Sequence, residues 1–261
     1  MSIAKGGRAI RTMEEWFELA GPKSDLHWKK GRSAMEAARC WLAVSSPKFP
    51  REVSRALATN RAFGKVTKWN AEPEARLPFD KLRGEPRNTD LLVHSRDAHG
   101  DFLIAVEAKA DESFGETVAD ALANAVERRL ANPRSRGVQR VEQLATALFG
   151  PRREGEVALG RLRYQLLTGV AGAVAAAARI GNHRVVFLVQ EFRTADTTDE
   201  KHASNAQDLN AFLHRLSHGS DPKVESGRVY GPISLPQSDL WDTIPPLFVG
   251  KVSCELRQQS A

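Results

Sequence analysis

Asp90, Glu107 and Lys109 are the residues of this chain whose types and spacing could do chemistry together. Two carboxylates and an ammonium at one place would hold a hard divalent cation, lower the pKa of water bound to it and steady charge developing on a phosphodiester. The trio lies in NTDLLVHSRDAHGDFLIAVEAKADESFG, residues 88–115. Asp90 opens one apolar segment, and FLIAV runs directly into Glu107 in the next. Alternation along a strand sends Glu107 and Lys109 to one face and Ala108 to the other. A turn near Gly100 makes the two segments an antiparallel hairpin whose partner numbers sum to about 197–200, so Asp90 falls opposite Glu107–Lys109. Carboxylates held this close raise each other's pKa, a cost that a divalent cation removes. The alternative is an exposed hairpin carrying an ordinary salt-bridge cluster, which adds little stability.

Three strands must position these groups: Thr67–Pro78, Thr89–Ser95 and Phe102–Ala110, joined by a Gly84-Glu85-Pro86 turn and an Asp97–Asp101 turn. Before them, Thr12–Ala20 reads as a short helix with Met13, Trp16 and Phe17 on one face, ended by Gly21-Pro22. A linker with Asp25 and His27 leads to the helix SAMEAARCWLAV, capped by Ser33, with Met35, Ala38, Trp41 and Leu42 on its apolar stripe and Glu36 flanking it. Pro47 and Pro50 close that segment, and REVSRALATN is a further short helix. After Lys109 the helical period returns with Val118, Leu122, Val126 and Leu130, then with Val138, Val141, Leu144, Ala145 and Leu148. The Ala- and Gly-rich stretch Leu162–Ile180 reads as a core helix stopped by Gly181-Asn182. VVFLV within Arg184–Phe192 reads as a strand buried on both faces. Thr194–Ser204 reads as a loop, Leu209, Phe212, Leu213 and Leu216 mark a helix, and prolines 232, 236, 245 and 246 mark loops before a last strand at Leu247–Leu256.

Asp90, a spacer, an apolar strand and then Glu107-Ala108-Lys109 resemble the PD-(D/E)xK nuclease superfamily. Thr89 stands where the short name of that motif has Pro. The resemblance implies an α/β fold: a restriction-endonuclease-like αβββαβ core, a mixed sheet flanked by helices, with N- and C-terminal additions. A single domain over 1–261 would have its core at about 28–192, an N-terminal helix extension at 1–27 and a C-terminal helix and strand addition at 193–261. It further implies that Asp90 and Glu107 bind Mg²⁺, with Mn²⁺ as a substitute, that Lys109 assists the attacking water, and that the substrate is nucleic acid, DNA in particular. Glu36 matches the acidic residue many members carry in the helix before the sheet and is a further expected metal ligand, with Glu74 as its rival. Tyr164-Gln165 begins a helix that often carries polar site residues, so Gln165 is an accessory expectation. A catalytically silent nuclease-fold module that binds nucleic acid or a protein partner is the other reading, and fold alone does not choose between them.

The net charge of +6 suits a polyanionic partner. Between Glu127 and Arg163 stand nine Arg and no Lys against four Glu and no Asp, either a phosphate-facing surface or a solvated helix face. Cys40 and Cys254 are far apart in sequence and imply neither a disulfide framework nor a zinc motif. No run approaches the ~20 apolar residues needed to span a bilayer, and the N-terminus lacks an apolar signal core, so the chain reads as soluble, cytoplasmic and without a membrane partner. HRLSH places His214 and His218 at i, i+4 but lacks the Glu of a zinc-protease motif and reads as a basic helix end. His94 and His99 read as surface residues, and Trp16, Trp28 and Trp41 as core anchors. A homodimer would suit cutting both strands, although no coiled coil declares itself.

Overall fold

The computed structural model describes residues 1–22, 27–42, 47–82, 86–181, 184–195, 197–219 and 223–255. Its strands, in chain order, are β1 (Ser2–Lys5), β2 (Arg8–Ala9), β3 (Lys68–Leu77), β4 (Arg87–Asp97), β5 (Gly100–Lys109), β6 (Val185–Arg193), β7 (Arg228–Ile233) and β8 (Leu247–Glu255). The helices are α1 (Met13–Ala20), α2 (Ser33–Leu42), α3 (Arg51–Leu57), α4 (Val118–Ala131), α5 (Gly137–Leu148), α6 (Tyr164–Arg179) and α7 (Asp199–Leu216). The strands form one mixed eight-stranded sheet, ordered β2-β1-β3-β4-β5-β6-β8-β7. The protein is thus an α/β structure with helices on both faces of the sheet, as its pattern of elements implies. None of the described helices is long and apolar enough to cross a membrane.

β3, β4 and β5 make an antiparallel meander, and β6 and β8 add to it in parallel. In the β4–β5 hairpin Leu91 pairs with Val106 and Asp97 with Gly100, the register expected from the position of the turn. Alternation then separates two cores. Leu92, Leu103, Ala105, Phe187 and Val189 pack against α5, α6 and α7 on one face. Leu91, Val93, Ile104, Val106 and Leu188 pack against α1, α2 and α3 on the other. α6 can lie close because its small residues face the sheet: a Cβ at Gly169 would stand 2.7 Å from the Phe187 ring.

Several elements depart from the sequence reading. The N-terminal extension holds two short strands besides its helix, with Ile3 paired to Ala71 at the sheet edge. β7 contains Pro232 and was expected as loop; it is tolerated because β7 is an edge strand. α7 begins ten residues before Leu209, with the Thr198 side chain accepting from the Lys201 N–H, so the expected loop at Thr194–Ser204 is shorter. On α4, Leu122, Val126 and Leu130 are exposed, whereas Val118, Ala121 and Ala125 are buried. The reason is close helix contact: a Cβ at Gly137 of α5 would stand 2.9 Å from that of Ala125, a separation that only small residues allow. His218 lies beyond α7 with φ +53 and pairs with Glu156 at 2.9 Å, so it does not share a helix face with His214. Trp16 and Trp41 are core residues, and Trp28 packs on Phe17. Cys40 and Cys254 are free, yet Gln190 Nε2 reaches both sulfurs, at 3.2 and 3.4 Å. Asp25, Gly84, Glu85, Asn182 and Leu256 lie outside the described residues.

One buried ion pair fixes the start of β6 against the hairpin. Arg184 donates to Asp97 at 2.8 and 3.1 Å and to the carbonyls of Gly100 and Ala62, with the rings of Phe63 and Phe102 about its guanidinium. Asp97 also accepts the Gly64 and His99 N–H groups. Both partners are almost free of solvent, so removing one strands the other. Asp97→Asn should therefore cost about 3–5 kcal/mol in urea unfolding, and adding Arg184→Met should recover part of it. A loss below about 1 kcal/mol would show that the pair behaves like an exposed one.

Candidate functional site

The β4–β5 ladder opens at its far end. Beyond Leu91–Val106, side chains take over the bonds of the backbone: Thr89 Oγ1 donates to the Val106 carbonyl at 2.8 Å, and the Ala108 N–H donates to Asp90 Oδ2 at 2.6 Å. Asp90 is thereby fixed beside Glu107 on the face covered by α6. This is the convergence of Asp90, Glu107 and Lys109 that the alternation predicts.

Glu107 is only 2% exposed and lies within a ring of donors. Its Oε1 accepts from Gln165 Nε2 at 2.7 Å and from the Lys109 ammonium at 3.0 Å, while Oε2 accepts from Arg87. Lys109 Nζ also donates to Gln165 Oε1 at 3.0 Å and stands 5.2 Å from the centre of the Phe114 ring. Gln165 reaches this point because it is the second residue of α6, whose start is tied to the chain after β5 by the Tyr164 N–H to Glu116 carbonyl bond. Arg163, capping α6, donates to Asp208 and the Gly115 carbonyl. The same post-β5 loop is held by Ser33 and Asn205 on Glu112 and by Arg32 on Asp111.

The two carboxyl groups titrate in opposite directions. Burial pushes Asp90 up to about 8, with the Glu107 charge adding to the shift and Lys109 opposing it. Burial also raises Glu107, but the Arg87 guanidinium and Lys109 ammonium outweigh it and hold the group below its usual range. Glu74 is raised by burial and by Glu107, with Lys5 opposing. It occupies β3 at φ +49, a conformation unusual for a residue with a Cβ, and the β3–β4 register passes over it opposite Asp90.

Of the two acidic rivals, Glu74 joins the electrostatic cluster. Glu36 is buried, not flanking as its place on the stripe implies. Its helix packs on the other sheet face through Ala38 and Trp41. It accepts from the Gly31 N–H at 2.6 Å and from Arg39 at 3.2 Å, and no described hydrogen bond or ion pair joins it to Asp90, Glu107 or Lys109. Its Oε2 has no partner among the described residues.

Arg87 is the site residue that sequence reasoning missed: beside a Gly-Pro turn it gives no signal that it will reach a strand twenty residues on. A second group missed is Glu191, which pairs in register with Lys109 across β5–β6 and with Ser253 across β6–β8. Glu191 is bound by Lys251 at 3.0 Å and Ser253 at 2.9 Å, with Arg193 at 3.6 Å and the His202 ring 3.1 Å away. The ends of β5, β6 and β8 thus carry a continuous row of buried charge. Among the described residues no group of three or more His, Cys, Asp or Glu gathers at metal-binding spacing.

Because the folded value of Asp90 is raised, its contribution to stability is complete below the ordinary 3.8 and is lost as pH rises through about 8. In EDTA, the thermal midpoint of the wild-type chain should fall from about pH 5 to about pH 9 relative to Asp90→Asn, whose amide keeps the acceptor for the Ala108 N–H. Parallel curves would remove the assignment of a raised Asp90.

No curated protein and no solved structure matches the chain. A family model does, over residues 9–251, which takes in every helix, strands β3 to β7, and Arg87, Asp90, Glu107, Lys109, Gln165 and Glu191. On that match the chain belongs to the family described as Domain of unknown function (DUF6946).

Proposed function

We propose that the chain is a Mg²⁺-dependent nuclease that hydrolyses phosphodiester bonds of nucleic acid, DNA first among the substrates. The observation that carries this reading is the convergence of Asp90, Glu107 and Lys109 at an opened strand pair, with Gln165 bridging two of them. The order of elements supports it: helices, an antiparallel β3-β4-β5 meander, then helices α4, α5 and α6 before β6 parallel to β5, which is similar to the αβββαβ core of restriction-endonuclease-like proteins with two added helices.

The donor set fits the cation. Asp90 is a carboxyl group whose charge is disfavoured by burial and by Glu107, a penalty that a divalent cation would reverse. Two hard oxygen donors suit Mg²⁺, which keeps several of its waters, and Mn²⁺ accepts the same ligands. Asp90 and Glu107 would hold it, with Glu74 near enough to add to the negative field. When bound, the cation supplies Lewis acidity and a water of lowered pKa. Lys109, steadied by Gln165 and Phe114, would orient the attacking water and stabilise negative charge on the phosphate oxygens. Arg87, now on Glu107, is a second cation within reach of the same charge.

One observation favours the silent-module reading. Both oxygens of Glu107 are engaged by Arg87, Lys109 and Gln165, so the carboxylate is neutralised by the protein itself.

Plasmid, linear duplex and single-stranded substrates incubated with Mg²⁺ or Mn²⁺ should be cut, and Lys109→Ala and Asp90→Ala should each slow cleavage about 10²–10³-fold. Cleavage unchanged in both variants sinks the assignment. Independently of activity, titrating Mg²⁺ should raise the thermal midpoint of the wild-type chain, by about 2.7 kcal/mol of stability at a hundred times Kd, and leave Asp90→Asn unmoved. No shift in the wild-type chain, with nucleic-acid binding intact, favours the silent module.

A further inference from the structure

The arginine-rich stretch folds into two helices and their connections, and four of its arginines meet in one surface concavity of about 460 Å³. Arg128 comes from the end of α4, Arg134 and Arg136 from the turn, and Arg140 from α5, with Asn132 and Ser135 between them; no acidic side chain lines the space. Arg140 is oriented by Asp80, to which its Nε donates at 2.6 Å. Arg128, Arg134 and Arg136 are exposed and form no ion pair with a described carboxylate. The gathering is imposed by the backbone. Gly137 allows α5 to begin almost in contact with Ala125, which draws the end of α4 and the start of α5 together. α5 also starts without a side-chain cap at Arg136, so its first-turn N–H groups add positive potential at the same rim.

Asp80 offsets Arg140, but Arg128, Arg134 and Arg136 are like charges that repel, and an anion relieves them. At about 460 Å³ the concavity is wider than a single ion needs. Guanidinium forks grip phosphate through paired hydrogen bonds. The place of the concavity also matters. Tyr164 lies within electrostatic reach of Arg140, Asp80 and Arg128, and the next residue, Gln165, bonds Glu107 and Lys109. The concavity and the carboxylate site therefore flank the first turn of α6.

We propose that Arg128, Arg134 and Arg136, in the concavity walled by the Asp80-bound Arg140, grip consecutive phosphates of a nucleic-acid backbone and seat that strand across the first turn of α6 toward Asp90, Glu107 and Lys109. Only the direction of seating rests on the nuclease reading; the grip is a matter of charge and needs no cleavage.

The test is fluorescence anisotropy in EDTA over a NaCl series, with labelled duplex DNA, single-stranded DNA and RNA. The wild-type chain is compared with Arg128→Ala/Arg134→Ala/Arg136→Ala, and with a control that removes the same charge elsewhere, Arg11→Ala/Arg51→Ala/Arg61→Ala, all exposed. Thermal melts confirm that both variants fold. The concavity variant should lower the slope of log affinity against log salt by about 2–3, at about 0.9 per phosphate contact for duplex and 0.7 for single strands, and weaken binding about 10–100-fold near physiological salt. The control should change much less. Equal losses in the two variants, an unchanged slope in the concavity variant, or no binding by the wild-type chain overturns the grip. Cleavage by the wild-type chain with unaltered binding by the concavity variant overturns the grip alone. Arginine-dependent binding without metal-dependent cleavage overturns the nuclease reading alone.

Discussion

A carboxylate almost without solvent, Glu107, is the constraint around which the site is organised. An isolated charge at such a place costs several kcal/mol, and its partners must come from wherever the fold can supply them. Here they come from three elements: Arg87 at the start of β4, Lys109 two residues along β5, and Gln165 at the start of α6. Satisfying one side chain thus fixes the end of the hairpin, the loop after β5 and the angle at which α6 meets the sheet. Asp90, left without a cation of its own among its hydrogen bonds, takes the opposite path and holds its proton to about pH 8.

What could be read in the sequence was what depends on neighbours in the chain. Alternation and a turn at Gly100 were enough to place Asp90 against Glu107, because hairpin register follows from counting. The Ala- and Gly-rich α6 and the apolar β6 were legible from composition and length. What depends on distant partners was not. β1 and β2 are too short to show a period, and β7 carries a proline that only an edge strand permits. The buried side of α4 is its alanine face because α5 arrives so close, a fact held in Gly137 and not in α4 itself. Glu74, named from the sequence as the rival of Glu36, joins the charge cluster, whereas Arg87 and Glu191 enter it through strand pairing that local pattern does not encode.

Parallel strands β5, β6 and β8 end together, and their last residues face helices α6 and α7 in place of an apolar layer. Glu107, Lys109, Glu191 and Lys251 alternate in sign along that boundary, so each buried charge is offset by the next. Sites at the carboxyl ends of parallel strands are common in α/β proteins because helices and loops there leave room for a ligand. In this fold the room is bounded by groups already neutralised in pairs, which keeps the sheet end intact while leaving Asp90 as the group most easily changed by an added positive charge.

The position of Lys251 has a consequence for how the chain is made. Glu191 sits on β6, an interior strand, but its ammonium partner arrives with β8, later in the chain. Until then one edge of β6 is unpaired, apolar and flanked by a carboxylate without its lysine, a state prone to association with other chains. Pairing of β8 with β6 and delivery of the Lys251 ammonium to Glu191 are one event. A chain that stops short of β8 would lose both together, leaving β6 as an exposed apolar edge.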